Sequence, residues 1–406
     1  MAKVLYLSLT GMAEPLGRSQ VLEYLMDLSK EHTIYLLSFE RRKDFSKLED
    51  VRRFTRQHGI VWHHLTYSNR FGVFSTLLQI SGALRLASRC IRKHRISIVH
   101  ARSMIPATIG LFLKKMHGVK LLFDIRGFAA DEKVDSGRVR KPSFLYAMLK
   151  KLDNRLYCSS DHIVTLTLSA KKILADNLGI DSEKITVIPT CANRTLFKPL
   201  GDSEKMAFRR SLGYEDDAKI IIHSGTVGTW YDFDSEVKLV KALMERDSAV
   251  RLLVLNKNEQ PFIRLTVEKY GLPPERVVID SCSFEAMHRY LNIADVSLFF
   301  IRPTFSKQAS APTKFAENVA CHLPSVTNRG VGDMEYYLTH FPVGYLVDIA
   351  HLDETIGDTA KSLLRAMEEG RKDLAAFDRL FDTHFDKRIA VKKYAHIYES
   401  IQRRPS

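Results

Sequence analysis

An α/β protein with two Rossmann-like halves, each a parallel sheet covered by helices, is the fold this sequence predicts. Three observations carry the prediction. The 406 residues exceed what one hydrophobic core usually serves. Short β-branched runs alternate with amphipathic helical runs, as in a doubly wound sheet. The alternation stops over Pro189-Thr-Cys-Ala-Asn-Arg-Thr-Leu-Phe-Lys-Pro199 and then restarts, which marks an interdomain connection.

In the first half the β-rich runs are Val4–Ser8, Thr33–Ser38, Ile60–Leu65, Ile98–His100, Lys120–Asp124, Ile163–Leu166 and Ile185–Ile188. Helical periodicity separates them near Ser19–Lys30, Ser75–Arg92, Ile105–Met116, Ser143–Tyr157 and Ala170–Leu178. In the second half strands are expected at Lys219–His223, Arg251–Leu255, Val277–Asp280, Val296–Phe300 and Pro324–Thr327. Helices are expected there near Ser235–Arg246, Pro261–Tyr270, Phe284–Ile293 and Thr313–Ala320. A last basic amphipathic helix, about Asp386 to Gln402, is placed to cross back onto the first domain.

Composition narrows the class. Hydrophobic residues at 45% and charged residues at 27% describe a folded globular chain and exclude a disordered or fibrous one. Apolar stretches stay short of the ~20 residues that a spanning helix needs. The apolar opening lacks a cleavage site and reads as a first strand. The five cysteines are widely spaced with no C-x-x-C pair, which fits free thiols in a reducing cytoplasm. Residues 1–195 carry a net charge of +15 and residues 196–406 carry −1, so the first half is expected to face something anionic.

Ligands in open α/β sheets collect beyond the carboxyl ends of the strands, so the segments there are the first candidates. After the first strand come Gly11, Gly17, Arg18, Ser19 and Gln20, read as an acceptor or phosphate loop with Ser19 capping the next helix; an ordinary glycine-containing turn is the alternative. After the strand at Lys219–His223 comes Ser224-Gly-Thr-Val-Gly228, where Gly225 would let a pyrophosphate approach the backbone and Thr226 would add a hydroxyl, with an ordinary glycine-containing α/β turn as the alternative. The third segment holds Lys307, Ser310, Thr313, Lys314 and Glu317. Lys314 and Glu317 stand three apart and share a helix face, a cation suited to phosphate beside a carboxylate suited to sugar hydroxyls, or else a surface ion pair.

Ser310-Ala-Pro-Thr-Lys-Phe-Ala-Glu-Asn-Val-Ala-Cys-His-Leu-Pro324 resembles the donor-binding helix of the family 4 retaining glycosyltransferases. The loop Gly11–Gln20, His223–Gly228, the hinge Ile188–Asn193 and Gly330-Val-Gly-Asp333 fall in that family's order. The resemblance implies two Rossmann-like domains with parallel sheets facing each other across a cleft, the GT-B arrangement. It implies an acceptor domain over 1–195 and a nucleotide-sugar domain over 196–385. It gives Glu317 the nucleotide ribose and turns Lys314 and Lys307 toward the diphosphate, with the nucleotide sugar as co-substrate and no cofactor. Transfer would retain anomeric configuration, in polysaccharide or glycoconjugate assembly.

Three departures from the family pattern stand out. Ala309 occupies the place of an acid that meets the transferred sugar, His322 stands where relatives carry glycine and would narrow the pocket, and Thr229-Trp-Tyr-Asp-Phe233 lacks the usual Arg and Lys. From the first domain, Asp124 is read as orienting or deprotonating an acceptor hydroxyl and Arg126 as holding a phosphate, against a structural Asp–Arg pair. Asp131 and Glu132 rank below them. No metal is expected: Asp232-Phe-Asp234 reads as a helix cap, and no histidine or cysteine cluster appears.

Expected partners are a nucleotide sugar, a sugar, lipid-linked or other glycoconjugate acceptor, and an anionic membrane face touched by Phe71, Phe74 and the basic run to Arg95, with packing of that helix's apolar face on the sheet as the alternative; nucleic acid is not expected. A peripheral cytoplasmic location is the corresponding expectation. A nucleotide-sugar epimerase and a non-catalytic basic binding protein are the rival readings.

Overall fold

The computed structural model describes residues 1–68, 70, 72–370 and 373–403. Phe71 and the side chain of Phe74, expected to touch a membrane, lie outside the described residues. The chain divides into two compact units, Met1–Pro189 together with the segment from Lys387, and Thr190–Asp386.

The first unit is a seven-stranded sheet of β1 (Lys3–Ser8), β2 (Thr33–Glu40), β3 (Val61–Thr66), β4 (Ile98–Arg102), β5 (Lys120–Asp124), β6 (His162–Thr165) and β7 (Ile185–Val187) in the order β3-β2-β1-β4-β5-β6-β7. The second is a six-stranded sheet of β8 (Lys219–Ser224), β9 (Val250–Leu255), β10 (Val277–Asp280), β11 (Val296–Leu298), β12 (Ser325–Asn328) and β13 (Gly344–Val347) in the order β10-β9-β8-β11-β12-β13. Neighbouring strands pair in parallel. Burial runs through successive residues of β1, β2, β4 and β8, the mark of strands covered on both faces. The second unit accordingly keeps a core on each side of its sheet, one around Phe299, Phe315 and Phe381 and one around Val237, Val240 and Phe300.

Strand order reverses between β1 and β4 in the first sheet and between β8 and β11 in the second. Outside the carboxyl ends at such a reversal the flanking connections diverge and leave a crevice. Arg102 ends β4 at the first reversal, and Gly225 follows β8 at the second.

Several elements differ from expectation. Ser19 caps nothing: helical backbone begins at Pro15, with Glu14 before it, and Ser19 lies inside the π-helical stretch Arg18–Leu22 that runs into Glu23–Leu28. Pro15 sets the start because its missing N–H is no loss in a first turn. The edge strand β13 gives no clear sequence signal because it is short and opens on Gly344. A Cβ there would lie 2.1 Å from the Ser325 carbonyl oxygen, so close pairing with β12 requires the glycine. The helices Leu48–Gln57, Asp202–Ser211 and Leu352–Glu369 bury few side chains, because charged and polar residues outnumber the apolar ones on them.

The last helix, Lys387–Arg403, belongs to the first unit. Lys387 bridges Glu23 and Asp27 at 3.0 Å each, and the Tyr398 hydroxyl meets His100 Nδ1 at 2.6 Å with no exposure of the ring. We therefore expect Tyr398→Phe to cost about 1–3 kcal/mol, the penalty of an orphaned buried polar atom, and Tyr398→Ala about 3–5 kcal/mol through the cavity it leaves. Equilibrium denaturation measures both, and midpoints equal to that of the parent protein would show that the crossing helix carries no stability.

Candidate active site

In the second unit β8 delivers His223 and Ser224 to the reversal point, and Gly225 turns the chain at φ 96°. His223 holds the turn: its Nε2 faces the Thr226 carbonyl at 3.1 Å and its Nδ1 faces Glu236 at 2.6 Å. Glu236 also accepts from the Phe300 N–H at 2.9 Å, which ties the end of β8 to the end of β11. The turn is not an open cradle for pyrophosphate. The Gly225 N–H goes to the Leu255 carbonyl, and the Val227 and Gly228 N–H groups go to the Glu259 carboxylate at 3.1 Å each. Gly225 and Thr226 stay exposed. Positive charge at this place comes from side chains instead.

Lys314 supplies it. Pro312 stands at the cap of Thr313–Ala320, Ser310 lies one turn before it, and Lys314 and Glu317 share one face. Lys314 is 7% exposed, and its Nζ has no hydrogen-bond partner among the described residues. A Cβ on Gly225 would meet that Nζ at 3.8 Å, an ordinary contact, so the φ of 96° and not the space is what calls for glycine. The ammonium sits 4.1 Å from the Tyr231 ring centroid. Burial lowers the Lys314 pKa to about 8 against the pull of Glu236, Glu317 and Glu259. Burial raises Glu317 to about 8, with Lys314 opposing. Burial thus draws each group toward its neutral form, and each opposes that shift in the other.

Lys307, 5% exposed in the turn Phe305–Ala309, lies over Trp230 at 3.6 Å from the ring centroid. Two lysines therefore rest on two adjacent aromatic rings, in the segment that lacks the family's own Arg and Lys. The segment is held out by strain: Thr229 is β-branched yet sits at φ 57°, a conformation costing on the order of 1–3 kcal/mol. Beyond it the Arg302 N–H donates to the Trp230 carbonyl and the Asp232 N–H to the Phe300 carbonyl, both at 2.9 Å. Sequence reading missed Trp230 and Tyr231; their signal was an aromatic pair directly after the glycine turn. Asp232 caps Phe233–Met244 as expected, its side chain accepting from Ser235.

His322 does not narrow this place. It stands past the C-terminal end of Thr313–Ala320, with the helix, about 12 Å long, separating it from Thr313. Its ring pairs with Asp378 at 3.0 Å, and its φ of 56° explains why glycine suits the position. Ala309 is 1% exposed. A cavity of about 820 Å³ lined by Arg209, Asp295, His322 and Tyr345 lies at the amino-terminal ends of β11 and β13, away from Lys314.

In the first unit Asp124 ends β5, 1% exposed. It accepts from the Tyr394 hydroxyl at 3.3 Å and lies 3.5 Å from Arg126 and 3.7 Å from His100. Burial works to raise its pKa, but Arg126 and His100 outweigh that and hold it below the usual carboxylate value. Arg126 keeps some exposure, 18% for its side chain. The loop after β1 is closed by carboxylates, Gly11 N–H to Glu14 at 3.1 Å and Met12 and Ala13 N–H to buried Glu40 at 2.8 and 3.2 Å. These donors are not open to a phosphate. Gly17 packs so tightly that a Cβ would lie 2.0 Å from the Gly11 carbonyl oxygen, Gln20 meets the Tyr24 hydroxyl, and Arg18 lies over Phe54. Asp131 accepts from Tyr146 and Lys150 as a structural anchor. Sequence reading also missed Arg102, 6% exposed, whose Nε has no partner among the described residues.

Comparison with known proteins agrees with this layout. The family description Glycosyltransferase Family 4 matches residues 20–195, and Glycosyl transferases group 1 matches residues 204–377. A D-inositol 3-phosphate glycosyltransferase of Stackebrandtia nassauensis is 32% identical over 115 residues, 28% of this chain and 23% of that protein. An alpha-galactosylglucosyldiacylglycerol synthase of Streptococcus pneumoniae is 28% identical over 108 residues, 26% of this chain and 28% of that protein. The matched segments thus span about a quarter of these relatives. Among solved structures, an Anabaena protein in complex with UDP and glucose superposes with a TM-score of 0.70 at 14% identity, covering 98% of this chain and 100% of that one. A glycosyltransferase of Rickettsia africae superposes with a TM-score of 0.71 at 18% identity, covering 100% and 99%. With one family description on each sheet and this fold, the chain belongs to the family 4 glycosyltransferases of GT-B fold.

Proposed function

We propose that the protein moves a hexosyl group from a nucleoside diphosphate sugar to a hydroxyl of a glycoconjugate acceptor, with retention of anomeric configuration. The observation that carries this reading is Lys314 at the reversal point of the second sheet, a buried ammonium without a partner among the described residues. A buried unpaired cation costs several kcal/mol, and a diphosphate removes that cost by supplying the counter-charge. Charge that develops on the leaving diphosphate is stabilised by Lys314 and Lys307 from fixed positions, without reorganisation at the moment of reaction. Glu317, one turn along, takes the ribose hydroxyls. The acceptor attacks from the side of the leaving group, whose phosphate oxygen receives its proton. Asp124, buried, orients Arg126 in the acceptor unit rather than meeting the acceptor itself. The Anabaena neighbour binds UDP, which makes UDP the first probe. The relatives' names pair the reaction with an inositol phosphate and with a diacylglycerol lipid, both compatible with glycoconjugate assembly.

A membrane-presented acceptor fits the first unit's surface. Arg138, Arg140 and Lys141 are exposed immediately before exposed Phe144, Leu145 and Met148, and Phe144 is 87% exposed. Cations beside bare apolar side chains suit an anionic headgroup layer, at about 1 kcal/mol per cation. On Val73–His94 the residues Ala83, Ala87 and Ile91 are buried while Leu77 and Leu78 are exposed, so that helix offers the membrane only its first turns. No helix among the described residues is long and apolar enough to cross a membrane.

Calorimetry with UDP tests the donor site: Lys314→Ala and Glu317→Gln should each weaken binding about tenfold or more with the fold intact, and unchanged affinity in both would remove the assignment. Because only the charged lysine attracts the diphosphate, and its folded pKa is about 8, parent affinity should hold below that pH and fall above it by up to about tenfold per pH unit. Lys314→Ala should flatten the fall; an equal slope in both proteins assigns it elsewhere. Transfer should persist in excess chelator, since lysines meet the leaving group; loss restored by magnesium or manganese would overturn this. Co-sedimentation with anionic vesicles should exceed that with neutral ones, drop with salt, and drop when Phe144 and Leu145 become Ser or Arg138, Arg140 and Lys141 become Gln. Equal recovery with both vesicle types would speak for a soluble acceptor.

A further inference from the structure

We propose that Arg102 and Arg126 form a binding site for a phosphoryl group carried by the acceptor, at the carboxyl ends of β4 and β5. Arg102 ends β4 at the point where the first sheet reverses its strand order, the place where the fold leaves a crevice for ligands. Its side chain is 6% exposed, Nε has no hydrogen-bond partner, and no carboxylate forms an ion pair with it among the described residues. The carboxylate registered beside it, Asp124, is already shared between Arg126 and Tyr394. The other polar groups around the cluster bring no counter-charge, since burial keeps Tyr6 a neutral phenol and lowers the pKa of His100. Two guanidinium charges therefore stand against one carboxylate.

A guanidinium offers five donors in a rigid fork and cannot shed its proton, so it cannot escape an apolar site by becoming neutral. Leaving those donors unpaired in the interior is costly. A tetrahedral phosphoryl group brings three acceptor oxygens, enough to engage both forks at once. Two further features favour an anion. The helix Met104–His117 starts at the next residue but one, and Ser103, at φ 78°, gives it no side-chain cap, so its positive end meets the same strand terminus. Arg126 retains partial exposure, which gives an incoming group access. A soluble sugar phosphate and a lipid-linked sugar diphosphate present the same chemistry. The inference rests on the assignment of the first unit to the acceptor.

Titration of inorganic phosphate into the full-length protein tests the site without donor or transfer, so its failure is distinct from failure of the transferase reading. Affinity should fall at least about tenfold in Arg102→Gln and Arg126→Gln. Unchanged phosphate affinity in both variants, or no phosphate binding to the parent protein, overturns the proposal. Arg102→Gln and Arg102→Met should keep or raise the thermal midpoint, because each removes an unpaired buried charge. A lower midpoint in both would make Arg102 a structural residue and overturn it too. Transfer assays then separate the sources: either a soluble sugar phosphate or a polyprenyl-diphosphate sugar in detergent should be the better acceptor. For that acceptor Arg102→Gln should raise KM at least about tenfold and leave the donor KM unchanged. An acceptor KM for that phosphorylated acceptor that is equal in parent and Arg102→Gln proteins overturns the proposal.

Discussion

A buried cation short of hydrogen-bond partners is the constraint on which both units turn. Lys314 in the second unit and Arg102 in the first are each more than nine-tenths buried and short of partners among the described residues. Each belongs to the reversal point of its sheet, Arg102 as the last residue of β4 and Lys314 against the glycine that follows β8. Taking an ion out of water costs several kcal/mol even after the surroundings relax. The rest of the fold must supply that energy, and in the second unit the apolar cores on the two sides of the sheet do so. Stability is traded for a place where an anion is worth more than it would be in water.

The backbone of the two glycine turns, by contrast, has been withdrawn from anion binding. Glu40 fills the turn after β1 and Glu259 fills the turn after β8, each carboxylate accepting two N–H groups. Both turns are rigid as a result, and both are neutralised as phosphate cradles. The work passes to side chains, and in the second unit those side chains are kept in place by rings: Trp230 under Lys307 and Tyr231 beside Lys314. A quadrupole attracts a cation without competing for its hydrogens. The ring therefore steers the ammonium, and at Lys314 it leaves Nζ without a hydrogen-bond partner among the described residues.

Much of this was legible in the residues. The parallel sheets followed from alternation, and the helix Thr313–Ala320 from Pro312 and the spacing of Lys314 and Glu317, because those signals are local. What escaped depended on contacts distant in sequence. Nothing near Gly11 reveals that Glu40 will close its turn, and nothing near Gly225 points to Glu259. Arg102 looked like one more basic residue in a basic half, since isolation from counter-charges is a property of the folded neighbourhood. Ser19 misled because a good capping residue was read without the proline four positions earlier that had already started the helix. His322 misled because bulk was weighed and backbone conformation was not.

The crossing helix has a consequence for biosynthesis. Tyr394 and Tyr398 complete the polar floor of the first unit, yet almost two hundred residues of the second unit separate them from β7. At roughly 5–20 residues per second a ribosome needs about 10–40 seconds to bridge that interval. Throughout it, His100 and Asp124 belong to an emerged but unfinished sheet, and the second unit can fold first. The first unit is thus assembled out of sequence order, closed by a helix that is made only after the whole of the second unit.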